Sequence, residues 1–270
     1  MKTIEELLEN SAQKFGNNPY LLEKKADRYE AITFKETKEQ TYKLAAGLLA
    51  LGIKKGDRIA LLSESRTDWV ISELGILHAG AINVPLSILL KEGADLKFRL
   101  DHSESKWVIV SGNQADKINS IKNDLKNLEK VILLDPKENY SRDEIYIAEV
   151  KKIGEEYLKK NYDKFMDGIK SISPDDFVNI SYTSGTTADP KAITLSHRNY
   201  TANIEQALTL MDVPEWWTTL LILPWDHSFA HTVGIYIMMA TGASLAAVQS
   251  GKTYLESLKH IPENIREIKP

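Results

Sequence analysis

The sequence predicts an α/β protein in which mostly parallel sheets are flanked by helices. Four short, predominantly apolar runs lie at residues 59–62, 82–85, 107–110 and 131–134, separated by stretches whose apolar residues recur at helical spacing. Strands that are apolar on both faces and alternate with amphipathic helices belong to a parallel sheet covered on both sides. The composition agrees: 43% of the 270 residues are hydrophobic and 27% charged, as in a globular protein with ample sequence for a core.

Taken in order, Ile4, Leu7, Leu8 and Phe15 mark a first helix over residues 3–15. Residues 32–34 read as a short strand. Thr33 and Glu36 form a capping box for a helix to Leu51, which Gly52 ends. Its Leu44, Leu48 and Leu51 face reads as core. A strand at 59–62, a helix over 67–80, a strand at 82–85 and a helix over 92–102 follow. Next come a strand at 107–110, a helix over about 114–128 and a strand at 131–134. Residues 135–174 are the most polar part, with a solvated loop and then a helix to about Tyr162. Its lysines Lys151, Lys152, Lys159 and Lys160, offset by Glu149, Glu155, Glu156 and Asp163, read as a solvated face. A strand over 177–180, a polar loop, a strand over 193–195 and a helix from the N-cap Ser196 to Leu210 complete this region. Residues 218–223 form a further buried strand, and 232–248 a buried helix followed by a strand.

The loop carries the chemistry. Residues 182–191 read YTSGTTADPK, with hydroxyls on Tyr182, Thr183, Ser184, Thr186 and Thr187, then Pro190 and Lys191. Gly185 allows close backbone approach, hydroxyls donate to phosphate oxygens, and Lys191 supplies charge, so the loop suits an oligophosphate. It lacks the Gly-Lys-Ser/Thr ending of a Walker A loop. The alternative is a Ser/Thr-rich surface loop without a ligand. Residues 224–229, PWDHSF, stand at the carboxyl end of a strand, where ligands of open α/β sheets bind. There, Asp226, His227, Ser228 and His231 invite a catalytic triad or a two-histidine metal site. Adjacent side chains on one turn do not form the relay, and no HExxH order is present. His197 reads as a surface or capping residue. An aromatic cluster at the core edge is the remaining alternative for the PWDHSF segment.

TSGTTADPK resembles the phosphate-binding signature of the adenylate-forming enzymes: acyl-CoA synthetases, luciferases and peptide-synthetase adenylation domains. Ala188 and Ala192 stand where that family usually has Gly, and either would cost on the order of 1–2 kcal/mol if its site needs a left-handed backbone. Residues 51–86 also match the family's wording, and LPWDHSFAHTVG is similar to the long-chain acyl-CoA synthetase branch. The resemblance implies two stacked sheets of a large N-terminal domain. One lobe spans residues 1–174, a second with the phosphate loop and the start of another sheet spans 175–270, and the small C-terminal domain is absent. The expected activity is AMP-forming ligation of a long-chain fatty acid to CoA with ATP and Mg²⁺. Thr183, Ser184, Gly185, Thr186, Thr187 and Lys191 would bind ATP, Lys191 and His227 would be catalytic, and Trp225, His227 and Phe229 would line the acyl pocket. The resemblance leaves open other adenylate-forming ligases, for aryl acids or amino acids, and a non-catalytic protein that kept half the fold.

A net charge of −4 and a pI near 5.9 argue against nucleic acid as a partner. The absence of cysteine excludes disulfides, thiolate zinc sites and a Cys nucleophile, and fits a cytoplasmic setting. No signal peptide or spanning segment is expected; peripheral membrane contact stays open for a lipid-handling enzyme.

Overall fold

The computed structural model describes residues 2–91, 93–183, 190–251 and 253–270. Helix α1 (Ile4–Phe15) begins where the Thr3 hydroxyl accepts the Glu6 amide proton, and it buries Ile4, Leu7, Leu8 and Phe15. A hairpin of β1 (Pro19–Lys25) and β2 (Arg28–Thr33) leads into α2 (Phe34–Ala50). The strand expected at 32–34 is therefore the end of a longer hairpin, and Phe34 opens the helix. The hairpin turns at Ala26, which takes a left-handed φ of 51° without the Gly that usually announces such a turn. The Thr33–Glu36 capping box forms as expected.

Strand and helix then alternate: β3 (Arg58–Leu62), α3 (Thr67–His78), β4 (Ile82–Leu86), α4 (Ala94–His102), β5 (Trp107–Val110), α5 (Gly112–Asn119) and β6 (Lys130–Leu133). Helix α5 stops well before residue 128, leaving one 3₁₀ turn at Lys122–Asp124. Asn119, Ser120, Asn123 and Asp124 compete with the helix for backbone hydrogen bonds. The polar stretch holds an edge strand, β7 (Glu144–Tyr146), and α6 (Ile147–Lys170) runs past Tyr162 through a kink at Asn161. The remainder is β8 (Phe177–Thr183), β9 (Lys191–Ser196), α7 (His197–Leu210), β10 (Thr218–Leu221), α8 (Ser228–Ala230), a π-helical turn at His231–Tyr236, α9 (Ile237–Thr241), β11 (Ser244–Ala247) and α10 (Tyr254–Ile268).

Two sheets result, of seven strands in the order β7-β6-β5-β3-β4-β8-β9 and four in the order β10-β11-β1-β2. All pairings are parallel except the hairpins β1–β2 and β8–β9, which are antiparallel and form one edge of each sheet. The seven-stranded sheet is covered on both faces. Ile59, Leu61, Trp107 and Ile109 belong to one core, and Ala60, Leu62, Val108 and Val110 to another.

The boundary expected at residue 174 does not separate the sheets. Hairpin β8–β9 extends the sheet built by β3–β7, while β1–β2 joins the sheet of β10 and β11. Each hairpin has an irregularity near its start and feeds a helix through a capping box, Thr33–Glu36 in one and Ser196–Asn199 in the other. The chain thus contains two related strand–hairpin–helix units whose hairpins are exchanged between sheets.

Helix α2 crosses α6 at two glycines. A Cβ on Gly154 would lie 1.8 Å from the Lys43 carbonyl oxygen, and one on Gly47 would lie 2.1 Å from that of Val150. Backbone stands on both sides, so relief requires the helices to separate. Gly154→Ala is expected to lower unfolding stability by about 2–3 kcal/mol, the range of core overpacking; an unchanged denaturant midpoint would contradict this close crossing. On the same helix, Lys151 is not part of a solvated face. It is largely buried, its ammonium lies 3.5 Å from Asp68, and burial lowers its pKa.

Candidate functional site

The two related hairpins differ at their tips. Strands β1 and β2 are joined by two residues, Ala26 and Asp27, whereas residues 184–190 join β8 to β9. Thr183 and Lys191 are cross-strand partners at the mouth of that longer loop. Ser184, Gly185, Thr186, Thr187 and Ala188 lie outside the described residues. Ala192 pairs with Tyr182 inside β9 and is not among the residues with positive φ, so it carries no left-handed strain. Lys191 is exposed, and no ion pair engages it among the described residues. At the equivalent first position of β2, Arg28 is paired with Glu30 at 3.3 Å; two residues beyond Lys191 stands Ile193. The hairpin base is braced by α4. Tyr182 Oη donates to the Arg99 carbonyl at 3.2 Å and lies 3.0 Å from His102 Nδ1, with the Arg99 guanidinium over its ring.

The second predicted segment follows β10. Trp225 is buried, donates from Nε1 to the Leu221 carbonyl at 3.4 Å and meets Trp69 edge-on at 6.0 Å. His227 is exposed and acts as a cap: its Nδ1 accepts the Phe229 amide proton at 3.2 Å. Phe229 is 57% exposed. Trp225 and Asp226 border a cleft formed by the carboxyl ends of β3, β4, β10 and β11 and roofed by α10. Its walls are mainly apolar, with Ile88, Leu221 and Leu258 among them, and Glu64 adds a carboxylate. Burial raises the Asp226 pKa. Glu64 has no sequence signal that distinguishes it from a surface acid.

The histidines sort differently from expectation. His197, read as a surface or capping residue, is buried: Nδ1 accepts the Ile4 amide proton at 3.2 Å and lies 3.4 Å from Glu5. It stands at the first helical position of α7, as Phe34 does in the related unit. His231 is also fully buried, 3.0 Å from Glu73 and 3.3 Å from the Asn179 amide. The contact between Asn179, in β8, and His231 joins the strand that leads into the 184–190 connection to the segment containing His227. No group of three His, Cys, Asp or Glu residues suited to a metal ion occurs among the described residues.

A profile of the family described as AMP-binding enzyme matches residues 8–270. A long-chain-fatty-acid–CoA ligase of Xenopus laevis is 24% identical over 99% of this chain and 36% of its own length. Fatty acyl-CoA synthetase A of Dictyostelium discoideum is 26% identical over 85% of this chain and 34% of its own. The chain thus spans about a third of the length of these relatives. Among solved structures, an anthranilate CoA ligase in complex with anthranoyl-AMP superposes with a TM-score of 0.80 at 20% identity, covering 99% of this chain and 48% of that one. This last likeness concerns the fold.

Proposed function

This chain belongs to the AMP-binding enzyme family, and on that premise we propose that it supplies the phosphate-gripping part of an AMP-forming acid–thiol ligase for long-chain fatty acids. In the proposed first step a carboxylate oxygen of the acid attacks the α-phosphorus of ATP, and the bond to pyrophosphate breaks. In the second, the CoA sulfur attacks the acyl carbon, AMP leaves, and the thiol proton passes to solvent. The chemistry is carried by substrates, so the protein's task is positioning and charge stabilisation. The hydroxyls of Thr183, Ser184, Thr186 and Thr187, the Gly185 backbone and the Lys191 ammonium would hold the β- and γ-phosphates. Trp225, His227 and Phe229 would border the acyl group, with His227 beside the reacting carboxylate. Mg²⁺ would arrive with the nucleotide, as magnesium commonly does when phosphates supply much of its coordination.

The observation that carries this reading is the hairpin mouth: a seven-residue connection, flanked by Thr183 and a Lys191 that engages no carboxylate among the described residues, replaces the two-residue turn of the related unit. Two relatives named for fatty acids support the acid class. The test is acid-dependent ATP–pyrophosphate exchange by the complete gene product, using fatty acids of graded length and aryl acids. Exchange with long-chain acids is expected. Exchange with aryl acids alone would move the assignment within the family, and none with any acid would refute it.

A further inference from the structure

Six polar side chains meet in the core where α3, β4, β8 and α7 converge on the π-helical turn. They are Glu73, Asn83, Asn179, Tyr200, His231 and Tyr236, none more than 2% exposed. Glu73 Oε1 lies 3.0 Å from His231 Nδ1 and accepts the Asn83 amide proton at 3.2 Å. Asn179 donates to Tyr200 Oη at 2.6 Å. The Tyr200 ring stacks on His231, and Trp69 meets the same ring edge-on while also contacting Trp225.

The backbone is shaped to this cluster. Residues 231 and 236 would lie about 140° apart on an α-helix of 3.6 residues per turn. A π turn, whose hydrogen bonds span five residues, returns both toward one face. There Tyr236 meets the Tyr200 and His231 rings edge-on, and the Tyr20 hydroxyl of β1 pins the intervening Ile235 carbonyl at 3.1 Å. Tyr20, Tyr200 and Tyr236 are the titratable groups whose pKa values the Glu73 charge raises, after burial itself. Four buried atoms have no hydrogen-bond partner among the described residues: Glu73 Oε2, Asn83 Oδ1, His231 Nε2 and Tyr236 Oη. Polar atoms gathered this way are costly unless ordered water satisfies them, and an apolar packing would avoid that cost.

What the cluster controls follows from chain continuity. The His231 amide donates to the His227 carbonyl at 3.3 Å, so the orientation of one fixes the other within a single turn. We propose that Glu73 and His231 are positioning residues for the carboxylate substrate: their hydrogen bond, with water on the remaining atoms, sets residues 224–231 in the orientation that presents His227. This rests on the ligase reading above.

The experiment measures pyrophosphate exchange by the complete gene product, with KM for the acid and for ATP determined separately. Glu73→Met keeps about the same volume and removes both carboxylate oxygens. The double variant Glu73→Met with His231→Phe replaces the buried pair by apolar groups of similar size, an exchange that preserves folding in other buried pairs. Both are expected to raise the acid KM about tenfold while the ATP KM stays within twofold, a change of roughly 1.4 kcal/mol in one substrate's binding. Unaltered acid KM in the double variant, or equal rises for both substrates, overturns the proposal. Should the variants not fold, the wild-type imidazole proton of His231 is read by NMR. A hydrogen-bonded Nδ1 proton in slow solvent exchange is expected, and a freely exchanging one overturns the pair. Wild-type protein inactive with every acid would instead overturn the ligase reading itself, and the positioning role with it.

Discussion

Lys191→Ala in the complete gene product is expected to lower kcat/KM for acid-dependent pyrophosphate exchange on the order of 100-fold, the usual effect of deleting one preorganised group at a developing charge. That corresponds to about 2.7 kcal/mol of lost transition-state stabilisation. Arg28, at the matching place in the other hairpin, is neutralised by Glu30, whereas Lys191 is exposed and engages no carboxylate among the described residues. Its pairing with Thr183 places Lys191 at the loop's mouth through the backbone. Lys191→Arg should recover a large part of the loss, since charge survives but the point-like ammonium does not. A Lys191→Ala protein that exchanges pyrophosphate at the wild-type rate would remove Lys191 from the phosphate site.

The second large effect is on stability against pH. Burial holds His78 and His197 down to about 4, from an ordinary 6.5, and pushes the Glu5 carboxyl up to about 8 from 4.5. The histidines are neutral in the folded chain, but those of the unfolded chain take up protons below pH 6.5. Their contribution is full above that value and is lost as pH falls toward 4, about 3 kcal/mol for each. Glu5 acts in the opposite direction. The unfolded chain loses its proton above pH 4.5 while the folded chain keeps it until about 8, so stability declines across that interval by about 5 kcal/mol in all. Between 4.5 and 6.5 the two histidines outweigh the one acid, and beyond 6.5 only the acid acts, which places the maximum near pH 6.5. Denaturant titrations at a series of pH values should show this maximum. Glu5→Gln should flatten the alkaline side, its advantage over wild type growing by about 1.4 kcal/mol per pH. Stability that climbs from pH 6.5 to 8 in wild type, unaffected by Glu5→Gln, would contradict the buried neutral acid.

Much of the fold was legible because its central strands are apolar on both faces. Residues such as Ile59–Leu62 and Trp107–Val110 have no polar side to confuse the pattern, and the helix starts at Thr33 and Ser196 carry their own hydrogen-bonding signatures. Hairpin β1–β2 was hidden because its turn uses Ala26 instead of Gly and its strands carry charges at Glu23, Lys24, Arg28 and Glu30. Which sheet each hairpin joins depends on packing between distant segments, which no local pattern records.

Of the candidate site, the two flanking strands are legible and Thr183 pairs with Lys191 across them, while the loop's interior residues lie outside the described ones. A histidine just after an N-cap has the local pattern of a surface residue, and only the fold shows α1 closing over His197. Asn83 and Asn179 carry a usable signal in the sequence. An amide in the middle of an otherwise apolar strand needs a buried partner, and these two sit across from one another in β4 and β8.

The central claim is that the mouth of the β8–β9 hairpin grips a triphosphate. The most direct measurement is a crystal structure of the complete gene product with a non-hydrolysable ATP analogue. The β- and γ-phosphate oxygens are expected within hydrogen-bond distance of the Thr183 hydroxyl and Lys191 Nζ. A well-ordered analogue whose phosphates lie elsewhere, with Lys191 still in solvent, would contradict it.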